Sequence, residues 1–182
     1  VSLSLGSPMG SGEWATGYNV QLWLGPDSDE LDVTTDGGAA VKNAYVELRV
    51  PVGSGLDLQV GRFDTIIGYE GVDYTGNPFY SHSWGYDIEP TIHTGVKGTY
   101  QVADELSVSA LIANKLDEGG NDVNTGGDQG DKAYGLAATI GAPDSFGALA
   151  DAELTVGYLK GTDVVADGDV QNLYVGASIP TP

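Results

Sequence analysis

The sequence predicts an all-β protein, an antiparallel up-and-down meander of the transmembrane β-barrel class that makes up part of a larger barrel. Three observations predict it. Nine stretches of about eight to eleven residues alternate apolar and polar side chains, the connections between them alternate short and long, and tyrosines fall near the ends of the apolar faces. Strict alternation is the period of a pleated strand with two unlike faces. Ten residues at about 3.3 Å each, tilted near 40°, rise roughly 25 Å, the height of the apolar band of a membrane barrel. Strands of soluble sandwiches are usually shorter, near 5–6 residues.

Taken in order, Val1, Leu3 and Leu5 open the first strand, and Tyr18, Val20, Leu22 and Leu24 carry the second against Asn19, Gln21 and Trp23. Ala44, Val46, Leu48 and Val50 alternate with Tyr45, Glu47 and Arg49, and Leu56, Leu58 and Val60 with Asp57 and Gln59. Ile92, Thr94, Val96 and Tyr100 then face away from His93, Lys97 and Gln101, and Leu106, Val108, Ala110 and Ile112 away from Ser107 and Ser109. Tyr134, Leu136, Ala138 and Ile140 form the seventh set. Leu154, Val156 and Tyr158, then Leu173, Val175, Ala177 and Ile179, complete nine.

The connections PVGSG at 51–55, VADE at 102–105 and APDSFGAL at 142–149 are short, whereas 25–40, 64–90, 115–131 and 161–169 are longer and hold 18 of the 26 acidic residues. One tight end and one loopy end match the periplasmic turns and extracellular loops of outer-membrane barrels. With the short turns in the periplasm, Tyr18 and Tyr100 sit low and Tyr134 and Tyr158 high. These are girdle positions, where a ring lies in hydrocarbon and its hydroxyl meets water.

Composition narrows the function. The 182 residues form one barrel domain or a part of one, with a net charge of −19 that repels nucleic acid. There is no cysteine, in keeping with an oxidising compartment. No run of about 18 apolar residues marks a transmembrane helix, a test that barrel strands never meet. The opening VSLSLG has no basic n-region, so it is not read as a signal peptide. Nine strands is an odd number for a bacterial barrel, and SIPTP carries no terminal aromatic strand; both point to part of a larger barrel.

The stretch GYEGVDYTGNPFYSHSWGYD at 68–87 places six of sixteen aromatic residues among four glycines and a proline, where neither helix nor strand fits. It is preceded by Gly61, Arg62 and Phe63 closing a strand; it contains Gly68 and Glu70, Asn77, and Tyr80 with Ser81 and Ser83; and it is followed by Pro90 and His93-Thr94-Gly95 opening the next strand. In that order and spacing, about 35 residues resemble the signature region of an outer-membrane β-barrel porin family of Gram-negative-type bacteria. The resemblance implies a porin fold and says little about substrate.

As a long loop between wall strands, 64–90 is expected to fold into the lumen, pack its rings on the inner wall and narrow the pore. Asp64, Glu70, Asp73 and Asp87 would face the water path and favour cations, with Tyr74, Tyr80 and Trp84 at the constriction. Glu47, Arg49, Asp57, Gln59, His93, Lys97, Asp151 and Glu153 share the inward parity and would line a wet lumen. The same charges can also pair across strands and brace the wall. Asp122, Asn124 and Asp128 begin like a calcium loop, but Gly126 replaces an oxygen ligand and no glutamate closes it, so calcium is a weak expectation beside no cofactor at all. His82 and His93 lack the partners of a transition-metal site. No nucleophile elbow or phosphate loop is present, and Glu70 with Asp73 makes a poor glycosidase pair, so no enzyme is expected.

The expected function is passive diffusion of small hydrophilic solutes or ions across the bacterial outer membrane. Its partners would be membrane lipid, lipopolysaccharide and those solutes, in a homo-oligomer or a larger surface assembly. Two rivals remain at this level: a non-conducting barrel scaffold or surface-assembly component, and a soluble secreted β-sandwich or adhesin with calcium in its acidic loops.

Overall fold

The computed structural model describes residues 1–31, 38–116, 132–163 and 168–180. Nine strands follow in chain order: β1 (Ser2–Ser7), β2 (Thr16–Leu24), β3 (Ala39–Val50), β4 (Leu56–Asp64), β5 (Ile92–Ala103), β6 (Leu106–Ala113), β7 (Ala133–Gly141), β8 (Glu153–Asp163) and β9 (Gly168–Ser178). Each pairs antiparallel with the next in one sheet whose order is the chain order. β1 and β9 do not pair with each other, so the sheet is an open stretch of barrel wall. No helix of the described residues is long and apolar enough to cross a membrane.

Register turns the alternation into two surfaces. Tyr18, Val46, Val60, Val96, Ile112 and Tyr134 are successive cross-strand partners from β2 to β7, forming a continuous apolar row. Every member of that row is exposed. Leu136, Val156 and Val175 continue the same outer face across β7 to β9, also exposed. A β-sandwich would bury this face against a second sheet; the described strands form only one.

The inner face is divided. In β3 to β5 it is polar, with Glu47, Gln59 and Lys97 in one row and Arg49, Asp57 and Thr99 in the next. Continuing into β6 to β8, those rows become Leu111, Gly135 and Leu159, and Ser109, Ala137 and Gly157. Small and apolar residues there leave room for something to lie on the wall, and residues 64–91 occupy it.

Two connections differ from the sequence reading. The VADE turn tightens to Asp104 and Glu105, because β5 and β6 pair as far as Ala103 and Leu106. The described residues of the 161–169 segment are strand: β8 and β9 stay paired to Asp163 and Gly168, since Gly161, Thr162, Asp169 and Val170 keep the two-residue alternation of the wall.

Candidate functional site: a loop braced across the inner wall

Residues 64–91 leave β4 and return to its neighbour β5, yet they contact strands on both sides. Ile66 and Ile67 enter a buried cluster with Phe63, Leu111, Ala113, Leu116, Ala133 and Leu159, against which Tyr174 of β9 also packs. Val72 enters a second cluster with Trp23 of β2, Leu31 and Ile92, joined by Tyr86 and by Ala40 of β3. In a flat sheet, β1 and β9 would stand about 38 Å apart at ~4.8 Å per strand. A compact segment of this length, only about 20 Å across, could not reach both flanks. The wall is therefore curled around the loop.

Glycines set the closeness of the approach. A side chain on Gly157 would collide with the Cγ2 of Ile67, and one on Gly135 would meet Leu159, as well as the Ile66 Cδ1 and Leu111 Cγ at 3.0 Å. Burying Ile67 contributes about 1.5–3 kcal/mol towards holding the loop down, and the half-buried Ile66 adds less.

Polar groups then fix its shape. Asp73 caps a turn: its Oδ1 accepts from the Thr75 N–H at 3.0 Å and from the Thr75 hydroxyl at 2.6 Å. The Asn77 amide clamps Gly71, accepting from its N–H at 2.9 Å and donating to its carbonyl at 2.8 Å. Glu70 accepts from the Ser83 N–H at 3.0 Å and from the Ser83 hydroxyl. Of the residues that carry the family resemblance, Glu70, Asn77 and Ser83 are thus the loop's internal braces. The Ser83 bonds hold the Glu70 carboxyl below the usual glutamate range, and the Thr75 bonds do the same for Asp73. Glu89 is pushed up, first by burial and then by the Glu70 charge.

The rings behave differently from the sequence expectation. Ile66, Ile67 and Val72 enter the clusters buried against the wall, where among the loop's rings Tyr86 joins them. Tyr80 is 92% exposed and Trp84 90%, and Tyr69 and Phe79 are also open to solvent. Branched aliphatic side chains fit the shallow floor over Gly135 and Gly157, where a flat ring would stand off. Tyr74 and Tyr86 instead stack on His82, with centroids 4.4 and 3.6 Å apart.

Of the predicted lumen charges, several are paired. Arg49 donates to both carboxylate oxygens of Asp57 at 2.6 Å. Glu47 accepts from the Gln59 amide at 2.7 Å. Asp64 accepts from the Lys42 ammonium at 2.9 and 3.0 Å and from Asn43 at 3.3 Å. The Lys97 ammonium lies 4.9 Å from the Phe63 ring centroid and donates to the Asp64 carbonyl at 3.4 Å. His93 does not line a water path: it is 0% exposed, sealed under the loop, with Nε2 3.0 Å from the Thr65 hydroxyl. Asp87 is exposed on the loop. Asp151, expected on the inward strand face, lies exposed in the turn before β8 with φ of 70°.

Lys42 and Asn43 escaped the sequence reading. They sit where the β2–β3 register shifts between Gln21 and Leu22, a bulge that turns two consecutive polar side chains to the buried side. The break in alternation at Val41-Lys42-Asn43-Ala44 was the available signal. Tyr18 and Tyr100 lie at the short-turn end of β2 and β5, and Tyr134 and Tyr158 lie on the outer face of β7 and β8. The Tyr158 hydroxyl donates to Gln171 at 2.9 Å. Asp122, Asn124 and Asp128 fall outside the described residues, and among the described ones no cluster of potential metal ligands occurs.

The model of a family described as "Putative beta-barrel porin-2, OmpL-like" matches residues 6–177. The chain belongs to this porin family. No curated protein sequence and no solved structure matches it. Membership extends the resemblance from the segment around the loop to nearly the whole wall, and the exposed outer rows are those a porin turns away from its lumen.

Proposed function

We propose that this porin forms a passive channel in the bacterial outer membrane for small hydrophilic solutes and ions, with a preference for cations. The observation that carries the reading is the loop itself: 64–91 lies on the inner face, anchored on both flanks, opposite an outer face of exposed apolar rows. Hydrocarbon and lipopolysaccharide would cover those outer rows. Solute would pass beside the polar inner face of β3 to β5, where Glu47, Asp57 and Arg49 replace part of a hydration shell. Asp87 and the partly exposed Asp64 add negative charge near the loop, and the chain's net charge of −19 enriches cations around it. Such passage needs no chemical step, so no enzymatic role is assigned.

Reconstitution in a planar bilayer tests this. Stepwise ion currents, with a reversal potential in a KCl gradient displaced towards the potassium equilibrium value, are expected. If no current appears, and thiol reagents fail to reach a cysteine placed at Glu47, the protein is a non-conducting scaffold and the channel reading fails.

A further inference from the structure

A cavity of about 950 Å³ opens between the β1–β2 side of the wall and the loop, lined among others by Trp23, Asp27, Asp73, Tyr74, Tyr80 and His82. Its size is that of a site for a ligand of a few fused or linked rings. Along the loop the rings form a ladder: Tyr80 to Tyr74 at 6.1 Å, Tyr74 to His82 at 4.4 Å, His82 to Tyr86 at 3.6 Å. The inner end of that ladder is anchored, because Tyr86 packs against the Trp23 cluster. The outer end is open, because Tyr80 is 92% exposed.

We propose that this cavity binds a neutral oligosaccharide, stacked on Tyr80 and held by the polar groups around it. The inference rests on the channel reading and names a solute class for it. Among the described residues no lysine or arginine lines the cavity, which disfavours anions. A quaternary ammonium is held best where several ring faces converge on one point. Here the faces are turned on one another, leaving a platform instead of a cage. A pyranose offers the complement to a platform: an apolar C–H face for the ring and hydroxyls around its edge. Asp27 and Asp73 accept from those hydroxyls. Trp23, 5% exposed, forms part of the cavity wall, and its indole N–H is buried with no acceptor among the described residues.

The test uses maltohexaose as the neutral probe and tetramethylammonium as the cationic one. Binding is measured by calorimetry on the detergent-solubilised chain, and channel block in planar bilayers. Maltohexaose should bind and reduce the current, and Tyr80→Ala should weaken binding roughly fivefold to tenfold, the worth of one stacked ring. Trp84→Ala is the control, since Trp84 is equally exposed but does not line this cavity; its binding should be unchanged. Absence of maltohexaose binding, equal loss in both variants, or block by tetramethylammonium alone overturns the proposal. Current without sugar binding overturns the saccharide site and leaves the channel standing, whereas calorimetric binding without current supports the site and removes the channel.

Discussion

Ile67 of the loop meets β8 at Gly157, with its Cγ2 in the space where any side chain on that glycine would stand. The seat of the loop, and with it the aperture of the proposed channel, rests on a contact that one methyl group would disturb. Gly157→Val should lift the loop at a cost of about 1–3 kcal/mol, the usual penalty of overpacking. Single-channel conductance should rise and the loop become sensitive to protease, while the strands keep their far-ultraviolet spectrum. Unchanged conductance would separate loop docking from pore width.

The Lys42 to Asp64 pair gives a second prediction. The Lys42 side chain is 8% exposed and that of Asp64 53%, so the pair is solvated on one side only. Lys42→Met removes the cation and frees a carboxylate at the foot of the loop. We expect a loss of about 1–3 kcal/mol in stability, from the hydrogen bonds given up, and stronger cation selectivity. The double variant Lys42→Met with Asp64→Asn should return the reversal potential to that of the parent protein.

Acid should loosen the loop. Glu70 and Asp73 titrate below their ordinary values because they accept bonds from Ser83 and Thr75. Their contribution is full above the unfolded carboxylate range and is lost as pH falls through the depressed folded values. Glu89 has the opposite sign: raised by burial and by Glu70, it favours the folded loop below its unfolded value and loses that contribution as pH rises through its folded one. The Ser83 and Thr75 amide resonances should therefore shift to those of a released loop in acid. Glu89→Gln should tighten the loop at neutral pH, read as slower proteolysis; faster cleavage would contradict the assignment.

A fourth prediction concerns the outer face. Val156, exposed between Ala138 and Val175 on β7 and β9, sits well inside the apolar band. Val156→Arg should cost about 2–4 kcal/mol for folding into lipid vesicles. Arg in place of Thr155, its inward neighbour, should cost far less. Equal costs for the two would mean that the outer face does not meet hydrocarbon.

Much of the wall was legible because a two-residue period encodes both strand and facing at once. Val46, Val60, Val96 and Ile112 fall on one face in the sequence and become cross-strand partners in the sheet. The loop's location was legible for a poorer reason, the surplus of rings, four of which, Tyr69, Phe79, Tyr80 and Trp84, stand exposed. The better signal was on the other partner: Ala133, Gly135 and Ala137 hold inward positions where a wet lumen would carry polar side chains. Small residues there record a neighbour that alternation cannot name. His93 was misread for the same cause, since parity tells which side a residue takes and not whether another segment covers it. Lys42 was hidden because a bulge breaks the period on which the whole reading depends.

The loop springs from two adjoining strands and is pinned on either flank, by Val72 towards Trp23 and by Ile67 towards Gly157. It acts as a strut across the curve. Flattening the arc must pull one pin out of its socket, so in the proposed channel wall curvature and bore would change together. Close-packed contacts give way in steps, so the proposed channel should switch between a few discrete calibres instead of breathing smoothly.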